Sequence, residues 1–140
     1  YRMSNAHARM ILESLKVVDA NLFLRRQIES WYNAACPVLW RMPEREVPWV
    51  YDLRIPGMKS EEQDKVVNQL QRAGIAARHA FKSMSGQEEF EMTTCTQSIP
   101  VNTLRASQEV IYLPIQPGIT TLVQVQRSFE VISKALAGMG

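Results

Sequence analysis

The chain has 140 residues, of which 46% are apolar, so it has the size of one domain with a single hydrophobic core. Sixteen basic and 14 acidic side chains leave a net charge of +2, which gives no electrostatic basis for a nucleic-acid surface. No apolar run approaches the roughly 20 residues of a membrane span. We therefore expect a cytoplasmic domain without a nucleic-acid or membrane partner.

A long, unbroken helix is predicted at the start of the chain, over residues 5–35. Ser4 or Asn5 can cap its first turn, and no proline or glycine interrupts it. Its apolar side chains form two stripes, the first at Ile11, Leu15, Val18 and Leu22 and the second at Met10, Val17, Leu24, Ile28 and Trp31. Because a surface helix needs only one stripe, two stripes favour burial between this domain and another one. The alternative is a central helix of this domain's own core.

The middle of the chain is predicted to form a linker, a strand and a helix. Prolines recur through residues 37–48, which predicts the linker. Residues 49–55, WVYDLRI, alternate in polarity, as expected of an edge strand. Residues 60–63, SEEQ, match a capping box, and the helix that they open should end at Gly74. A short strand over residues 75–78 would follow.

The remaining elements follow a loop. Residues 79–100 are predicted to be irregular, residues 101–107 a short helix and residues 110–115, VIYLPI, a buried strand. Thr120 or Thr121 should begin the last helix. The predicted core face of that helix consists of Leu122, Val125, Phe129, Ile132 and Leu136.

Together these elements predict an α+β fold. A long N-terminal helix precedes a small, mainly antiparallel sheet of three or four strands, with helices packed on one face. The predicted organisation is a helix over residues 1–36, a linker over 37–48 and a small α+β domain over 49–140.

The usual catalytic and nucleotide-binding motifs are missing, among them GxGxxG, GxxxxGK[ST], HExxH and GxSxG. Cys36 and Cys95 lie far apart and form no metal-binding pattern, so free thiols are expected rather than a disulfide. Arg78, His79 and Lys82 place two permanent cations and a titratable group where a strand enters a long loop. Anionic ligands are commonly held at such places, although a solvated loop is the alternative.

Four segments resemble the DegT/StrS family of sugar aminotransferases, and they occur in the family's order and spacing. The first, YRMSNAHARMILESLKVVDANLFLRRQIESWY, resembles the helix that follows the family's cofactor lysine. The others are WVYDLRI, GIAARHAFKSMSGQEEF and VIYLPIQPGIT. The matching positions of the first segment are Tyr1, Arg2, Met3, Ser4, Ala8, Leu12, Leu15, Asp19, Arg25, Arg26 and Tyr32.

The resemblance implies a pyridoxal-phosphate enzyme that moves an amino group, usually from glutamate, onto a nucleotide-linked keto-sugar. It assigns this chain to the small domain of the aspartate-aminotransferase fold, with the cofactor on a large upstream domain that is absent here. The family's Schiff-base lysine stands in an S-x-N-K context, which none of the five lysines has. We therefore expect no catalytic residue, no bound pyridoxal phosphate and no metal in this chain alone.

The resemblance also implies substrate contacts and an oligomer. Arg2 would reach into the partner subunit's site, where a guanidinium can bind the donor's α-carboxylate through two parallel hydrogen bonds; a surface arginine at a frayed terminus is the alternative. The loop residues Arg78, His79, Phe81 and Lys82 would border the substrate site and meet the nucleotide phosphates or the sugar. A homodimer is expected to form through the first helix.

The chain departs from the family pattern at several positions. Arg9 and Ile11 replace small residues that allow a tight helix contact, and Ser83 and Ser85 stand where the family often has proline and histidine. The family asparagine that holds the cofactor phosphate would precede Tyr1. A non-catalytic α+β interaction module derived from the family is therefore the competing hypothesis.

Overall fold

The computed structural model describes residues 2–82 and 101–138. This part of the chain contains five α-helices and three strands, which confirms the α+β class. The helices are α1 (Asn5–Leu15), α2 (Val18–Ala35), α3 (Ser60–Arg72), α4 (Val101–Glu109) and α5 (Leu122–Ala137). The strands are β1 (Val50–Arg54), β2 (Arg78–His79) and β3 (Val110–Pro114). Ser83, Ser85, Cys95 and most of the predicted loop lie outside the described residues.

The three strands form one antiparallel sheet in the order β1-β3-β2. The strand predicted to be buried is thus β3, which lies at the centre of the sheet. Alternate residues of β1 and β3 turn the same way and pack with α2, α3 and α5 in one core. The core residues from these strands are Tyr51, Leu53, Ile111 and Leu113, and Ile55 and Ile115 follow directly after the strands. Helices therefore pack on one face of the sheet, as predicted.

The predicted long helix is wrong as a single element, because the chain breaks it at Lys16 and Val17. Val17 has φ −115° and ψ 10°, and its N–H bonds to the Ser14 carbonyl at 3.3 Å, three residues back. The Ser14 hydroxyl donates to the Met10 carbonyl at 2.9 Å, a side-chain bond that bends helices. Two adjacent β-branched residues, Val17 and Val18, further weaken the helix. No residue of α1 is buried, so packing does not straighten the break.

Strand β1 lies at the sheet edge, as predicted, but its expected alternation is wrong. Residues 50–53 are all buried, on both faces of the sheet. Contacts from residues that precede the strand account for part of this burial. Arg45 pairs with Asp52 at 2.7 Å between Nη2 and Oδ2, and Arg41 forms an isolated bridge with Leu53.

Helix α3 begins one residue away from the predicted cap. Glu62 rather than Gln63 reaches back, and its Oε2 accepts from the Lys59 N–H at 2.8 Å. Gly74 ends the helix as predicted, with φ +81°, a left-handed conformation that favours glycine. Ile75 completes this cap by donating its N–H to the Leu70 carbonyl at 2.9 Å.

The predicted strand over residues 75–78 is displaced to β2. Ile75 has given its N–H to the cap of α3, and Ala77 donates to the Ile75 carbonyl at 2.7 Å. These backbone groups cannot also bond to β3, so pairing with the sheet starts only at Arg78. This shift of the strand decides where the predicted loop residues point.

Helix α5 begins after Thr121, as predicted. The Thr121 hydroxyl accepts from the Gln124 N–H at 3.3 Å, and Gln124 Oε1 accepts from the Thr121 N–H at 3.0 Å. The predicted core face is wrong in part, since Leu122 is 45% exposed and Ser128 is fully buried. Ser128 tolerates burial because its hydroxyl donates to the Gln124 carbonyl at 2.8 Å.

Candidate functional site

Strand β2 divides the predicted loop residues between two sides of the sheet. Arg78 lies opposite Tyr112 in the register of β3, and His79 lies opposite Ile111. Successive strand residues point to opposite faces. Arg78 therefore shares the face of Tyr112, away from the core, whereas His79 turns towards α3. The geometry therefore favours separate surroundings for Arg78 and His79, whereas the sequence predicted that both border one site.

Arg78 lines a cleft of about 480 Å³ at one end of the sheet, which we call the sheet-end cleft. Trp49, at the start of β1, and Tyr112 form part of its wall. Arg25 of α2 lines it as well, and its Nη1 donates to the carbonyls of Pro48 and Trp49, both at 3.3 Å. The cleft therefore combines two guanidinium groups with aromatic rings.

Trp49, Phe81 and Tyr112 pack against one another, and we call them the aromatic cluster. The rings of Trp49 and Phe81 are nearly parallel, at 17°, with centroids 6.2 Å apart. Tyr112 meets both edge-on, at centroid distances of 5.7 Å from Trp49 and 5.8 Å from Phe81. Phe81 is nevertheless 75% exposed and Trp49 is 42% exposed. Aromatic surface of this kind is held in shape by its neighbours while it remains open to a ligand.

His79 and Lys82 line a different cleft, of about 410 Å³, between α3 and α4. His79 Nε2 lies 2.8 Å from Asp64 Oδ1, and both side chains are partly exposed. Gln63, at the base of the cleft, is buried and donates to the carbonyls of Ser107 and Val110 at 3.0 and 2.7 Å. The pair and the lysine thus belong to the helix-covered side of the sheet.

Arg2, the fifth predicted contact residue, is exposed in front of α1. The first turn of α1 is capped by Ser4, whose hydroxyl accepts from the His7 N–H at 3.3 Å. Large apolar side chains further along the two helices are exposed, among them Met10, Ile11, Leu12, Leu15, Val17, Val18, Phe23 and Leu24. Of the two predicted stripes, only Ile28 is fully buried, while Leu22 and Trp31 are half-buried.

Burial and hydrogen bonding shift the pKa of several carboxyl groups. The pKa of Glu109 is lowered because its Oε1 accepts from the Gly57 N–H at 3.0 Å and its Oε2 accepts from Arg54 Nε at 2.8 Å. Burial and the nearby Glu44 raise the pKa of Glu29. Burial also raises the pKa of Asp52, against the influence of its partner Arg45. None of these groups lines the sheet-end cleft, so its charge comes from the arginines.

Sequence reasoning missed three residues of the sheet-end cleft: Arg25, Trp49 and Tyr112. They come from α2, the residue before β1, and β3, and only the packing of these elements brings them together. Arg78 was predicted from the charged run where a strand enters a loop, and Phe81 was predicted from the resemblance to the family. A tryptophan at the first exposed position before a buried strand was the signal that could have identified Trp49.

The residues of this chain do not fit pyridoxal phosphate by themselves. A Schiff-base lysine is activated by desolvation or by neighbouring charge. All five lysines here are exposed, and Lys16 is paired with Glu13 at 2.7 Å. Among residues 2–82 and 101–138, no cluster of three or more potential metal ligands occurs either. Within the same segments, none of the helices combines the length and the hydropathy of a membrane-spanning segment.

Comparison with known proteins gives a consistent result. Residues 1–132 match the model of the DegT/DnrJ/EryC1/StrS aminotransferase family. GDP-perosamine synthase of Caulobacter vibrioides is 30% identical over 92 residues, which cover 60% of this chain and 25% of that enzyme.

Solved structures share the fold. PseC of Helicobacter pylori, an aminotransferase involved in pseudoaminic acid biosynthesis, superposes with a TM-score of 0.81 at 14% identity. The match covers 99% of this chain and 38% of PseC. The putative sugar aminotransferase Spr1654 of Streptococcus pneumoniae, in its PMP form, gives a TM-score of 0.80 at 18% identity, over 99% of this chain and 37% of its own. The chain thus spans between a quarter and two fifths of these relatives.

Proposed function

The chain belongs to the DegT/DnrJ/EryC1/StrS aminotransferase family, and from this premise we propose that it is the C-terminal portion of an enzyme that aminates a nucleotide-linked keto-sugar. Glutamate is the proposed amino donor and pyridoxal phosphate the cofactor. One relative is named for the synthesis of GDP-perosamine and another for its part in pseudoaminic acid biosynthesis. Both names support a sugar-related substrate, and the GDP of the first name supports a nucleotide-linked one.

In this proposal the cofactor is held by another part of the enzyme. The exposed lysines of this chain support that division, as does the small share of each relative that the chain spans. Residues 1–36 would form the interdomain helices, residues 37–48 a linker and residues 49–140 the small domain. The linker is tied to α2, since Arg26 Nη2 donates to the Glu46 carbonyl at 3.0 Å.

The sheet-end cleft is the observation that carries the proposed substrate contact. Arg78 and Phe81 are the predicted loop residues that face it or pack on its wall. A guanidinium binds phosphate oxygens through parallel, charge-assisted hydrogen bonds, so Arg78 suits the diphosphate of a nucleotide sugar. We assign His79 and Lys82 to the rim on the other side of β2, and we retain Arg2 as the proposed ligand of the donor's α-carboxylate.

The exposed apolar surface of α1 and α2 supports the proposed dimer. Burying apolar surface contributes roughly 25 cal/mol per Å². A few hundred Å² on these helices would therefore favour association with a second subunit, the upstream domain or both. In a complete enzyme this surface would lie between domains and subunits.

The competing hypothesis is a non-catalytic module whose first two helices bind a partner. The bulky, exposed side chains of Arg9 and Ile11 favour it, because the family has small residues there. Both hypotheses explain the exposed apolar surface as an interface. They differ in whether the complete protein catalyses amination.

The test is to express the protein from its native reading frame with whatever coding sequence precedes Tyr1. We expect that product to convert glutamate to 2-oxoglutarate in the presence of a nucleotide-linked keto-sugar, and we expect the 140-residue chain alone to be inactive. Borohydride should fix pyridoxal phosphate onto a lysine upstream of Tyr1. Fixation onto a lysine of this chain would refute the proposed division of the enzyme.

A further inference from the structure

The aromatic cluster lies beside the arginines of the sheet-end cleft, and the proposed function gives it no role. We propose that the aromatic cluster is a stacking platform for a nucleotide base and that Arg78 and Arg25 hold the phosphates of the same nucleotide. The inference rests on the proposed function in so far as the nucleotide is part of the substrate. It adds residues that bind the base and a mode of recognition.

The arrangement of the rings supports stacking of a flat ligand. Trp49 and Phe81 are nearly parallel and adjacent, while Tyr112 braces both from the edge. A side chain as exposed as Phe81 would ordinarily be free to turn, but two edge or stacking contacts hold its ring. Every nucleobase has a π-face, and base stacking on aromatic side chains is a recurrent mode of nucleotide binding.

The arginines lie where the phosphates of a stacked nucleotide would be. Arg78 is the cross-strand partner of Tyr112, and such partners have Cβ atoms about 5 Å apart. Arg25 stands beside Trp49, whose carbonyl it binds. Neither arginine belongs to an ion pair formed within the described residues, which are Glu13–Lys16, Arg45–Asp52, Arg54–Glu109 and Asp64–His79. Their charge is thus available to an anionic ligand on this side of the sheet.

Stacking recognises a planar ring without reading its hydrogen-bonding edge. The platform should therefore accept both purine and pyrimidine nucleotides, and a larger ring should bind more tightly. A sugar phosphate without a base would gain only the arginine contacts. The difference between a purine and a pyrimidine nucleotide that carry the same phosphates separates a base platform from a simple phosphate site.

The experiment is a calorimetric titration of the full 140-residue chain with GDP, UDP and ribose 5-phosphate. We expect GDP to bind most tightly and ribose 5-phosphate most weakly. Phe81→Leu keeps an apolar side chain but removes the ring, and it should weaken GDP binding about tenfold while leaving ribose 5-phosphate binding unchanged. Arg78→Gln should weaken the binding of all three ligands.

Two matched variants serve as controls. Val123→Ala truncates a similarly exposed apolar side chain on α5, and Arg127→Gln removes an exposed arginine from the same helix. Neither should change any of the three affinities, and circular dichroism would verify that all variants keep the fold. Equal binding of ribose 5-phosphate and GDP, an unaltered GDP affinity in Phe81→Leu, or no nucleotide binding at all would overturn the proposal.

The outcome is separable from that of the proposed function. If the longer protein aminates a nucleotide sugar while Phe81→Leu binds GDP normally, the platform is wrong and the function stands. If GDP binding depends on Phe81 but no amination occurs, the platform stands and the proposed function is wrong.

Discussion

The first two helices and the sheet layer differ in how far they bury their large apolar side chains. Leu53, Ile111 and Leu113 are completely buried between the sheet and its helices. In α1 no residue is buried, and Leu12 is 61% exposed. The sheet layer therefore contains the contacts that stabilise it, whereas α1 depends on whatever covers it. An exposed apolar surface of this kind marks an interaction site in other proteins.

The largest expected effect is a difference in stability between the same substitution, leucine to alanine, made in the sheet layer and in α1. Leu53→Ala should lower the free energy of unfolding by about 3 kcal/mol, because the side chain is fully buried and leaves a cavity. In the monomeric chain, which dilution favours, Leu12→Ala removes the same atoms from α1 and should change the free energy of unfolding by less than about 0.5 kcal/mol. Urea denaturation followed by circular dichroism measures both. Equal losses would show that α1 is packed as tightly as the sheet.

Association of the chain is the next largest expected effect. We expect the unmodified chain to dimerise through α1 and α2, and the double variant Val17→Glu, Leu24→Glu to weaken dimerisation at least about a hundredfold. Charges introduced on this apolar surface oppose its burial. Sedimentation velocity over a range of concentrations measures the change, and the core around Ile111 should stay folded. A compact monomer with α1 amides protected from hydrogen exchange would show that α1 does not need a second subunit or domain to cover it.

Within the sheet layer, Glu109 should show a pH-dependent contribution. Its pKa is lowered by the Gly57 N–H and Arg54, so the ionised form is favoured by folding. The resulting stability is present above the pKa of about 4.3 in the unfolded chain and is lost as the pH falls through the lower, folded pKa. Glu109→Gln should therefore cost about 2 kcal/mol at pH 7 and much less at pH 3. A cost that does not vary with pH would mean that packing, rather than charge, is lost.

The smallest expected effect has the opposite sign. Burial and Glu44 raise the pKa of Glu29, so ionised Glu29 is slightly disfavoured in the folded chain. This penalty appears as the pH rises through the folded pKa and is absent below the unfolded one. Glu29→Gln should increase the free energy of unfolding at pH 7 by no more than about 0.5 kcal/mol, and the increase should vanish at pH 3. A decrease at pH 7 would indicate an interaction that requires the carboxylate.

The elements that local chemistry determines could be predicted from the sequence. The cap at Thr121, the glycine that ends α3 and the buried run of β3 each have a signature within a few residues. The break at Lys16 and Val17 has none, because neither proline nor glycine occurs there. It follows from a serine bond, β-branched neighbours and missing packing acting together.

The candidate site could be predicted only in part, because the sequence did not indicate where β2 begins to pair with β3. A strand over residues 75–78 would have left Arg78 and His79 together at the start of a loop. The Ile75 N–H is already hydrogen-bonded in the cap of α3, so pairing with β3 begins only at Arg78. Arg78 and His79 are then successive strand residues, and their side chains point to opposite faces. Trp49 and Tyr112 lie more than 60 positions apart in the chain, and only β1–β3 pairing joins them.

Arg25 gives α2 a mechanical connection to the sheet-end cleft. Its guanidinium holds two successive carbonyls just before and at Trp49, so this stretch of backbone is pinned to the helix rather than to the sheet alone. Phe23 and Leu24, immediately before Arg25 on α2, belong to the exposed apolar surface. One stretch of α2 therefore both holds the backbone of a cleft wall and presents the surface proposed for association, so the two features lie side by side along the helix.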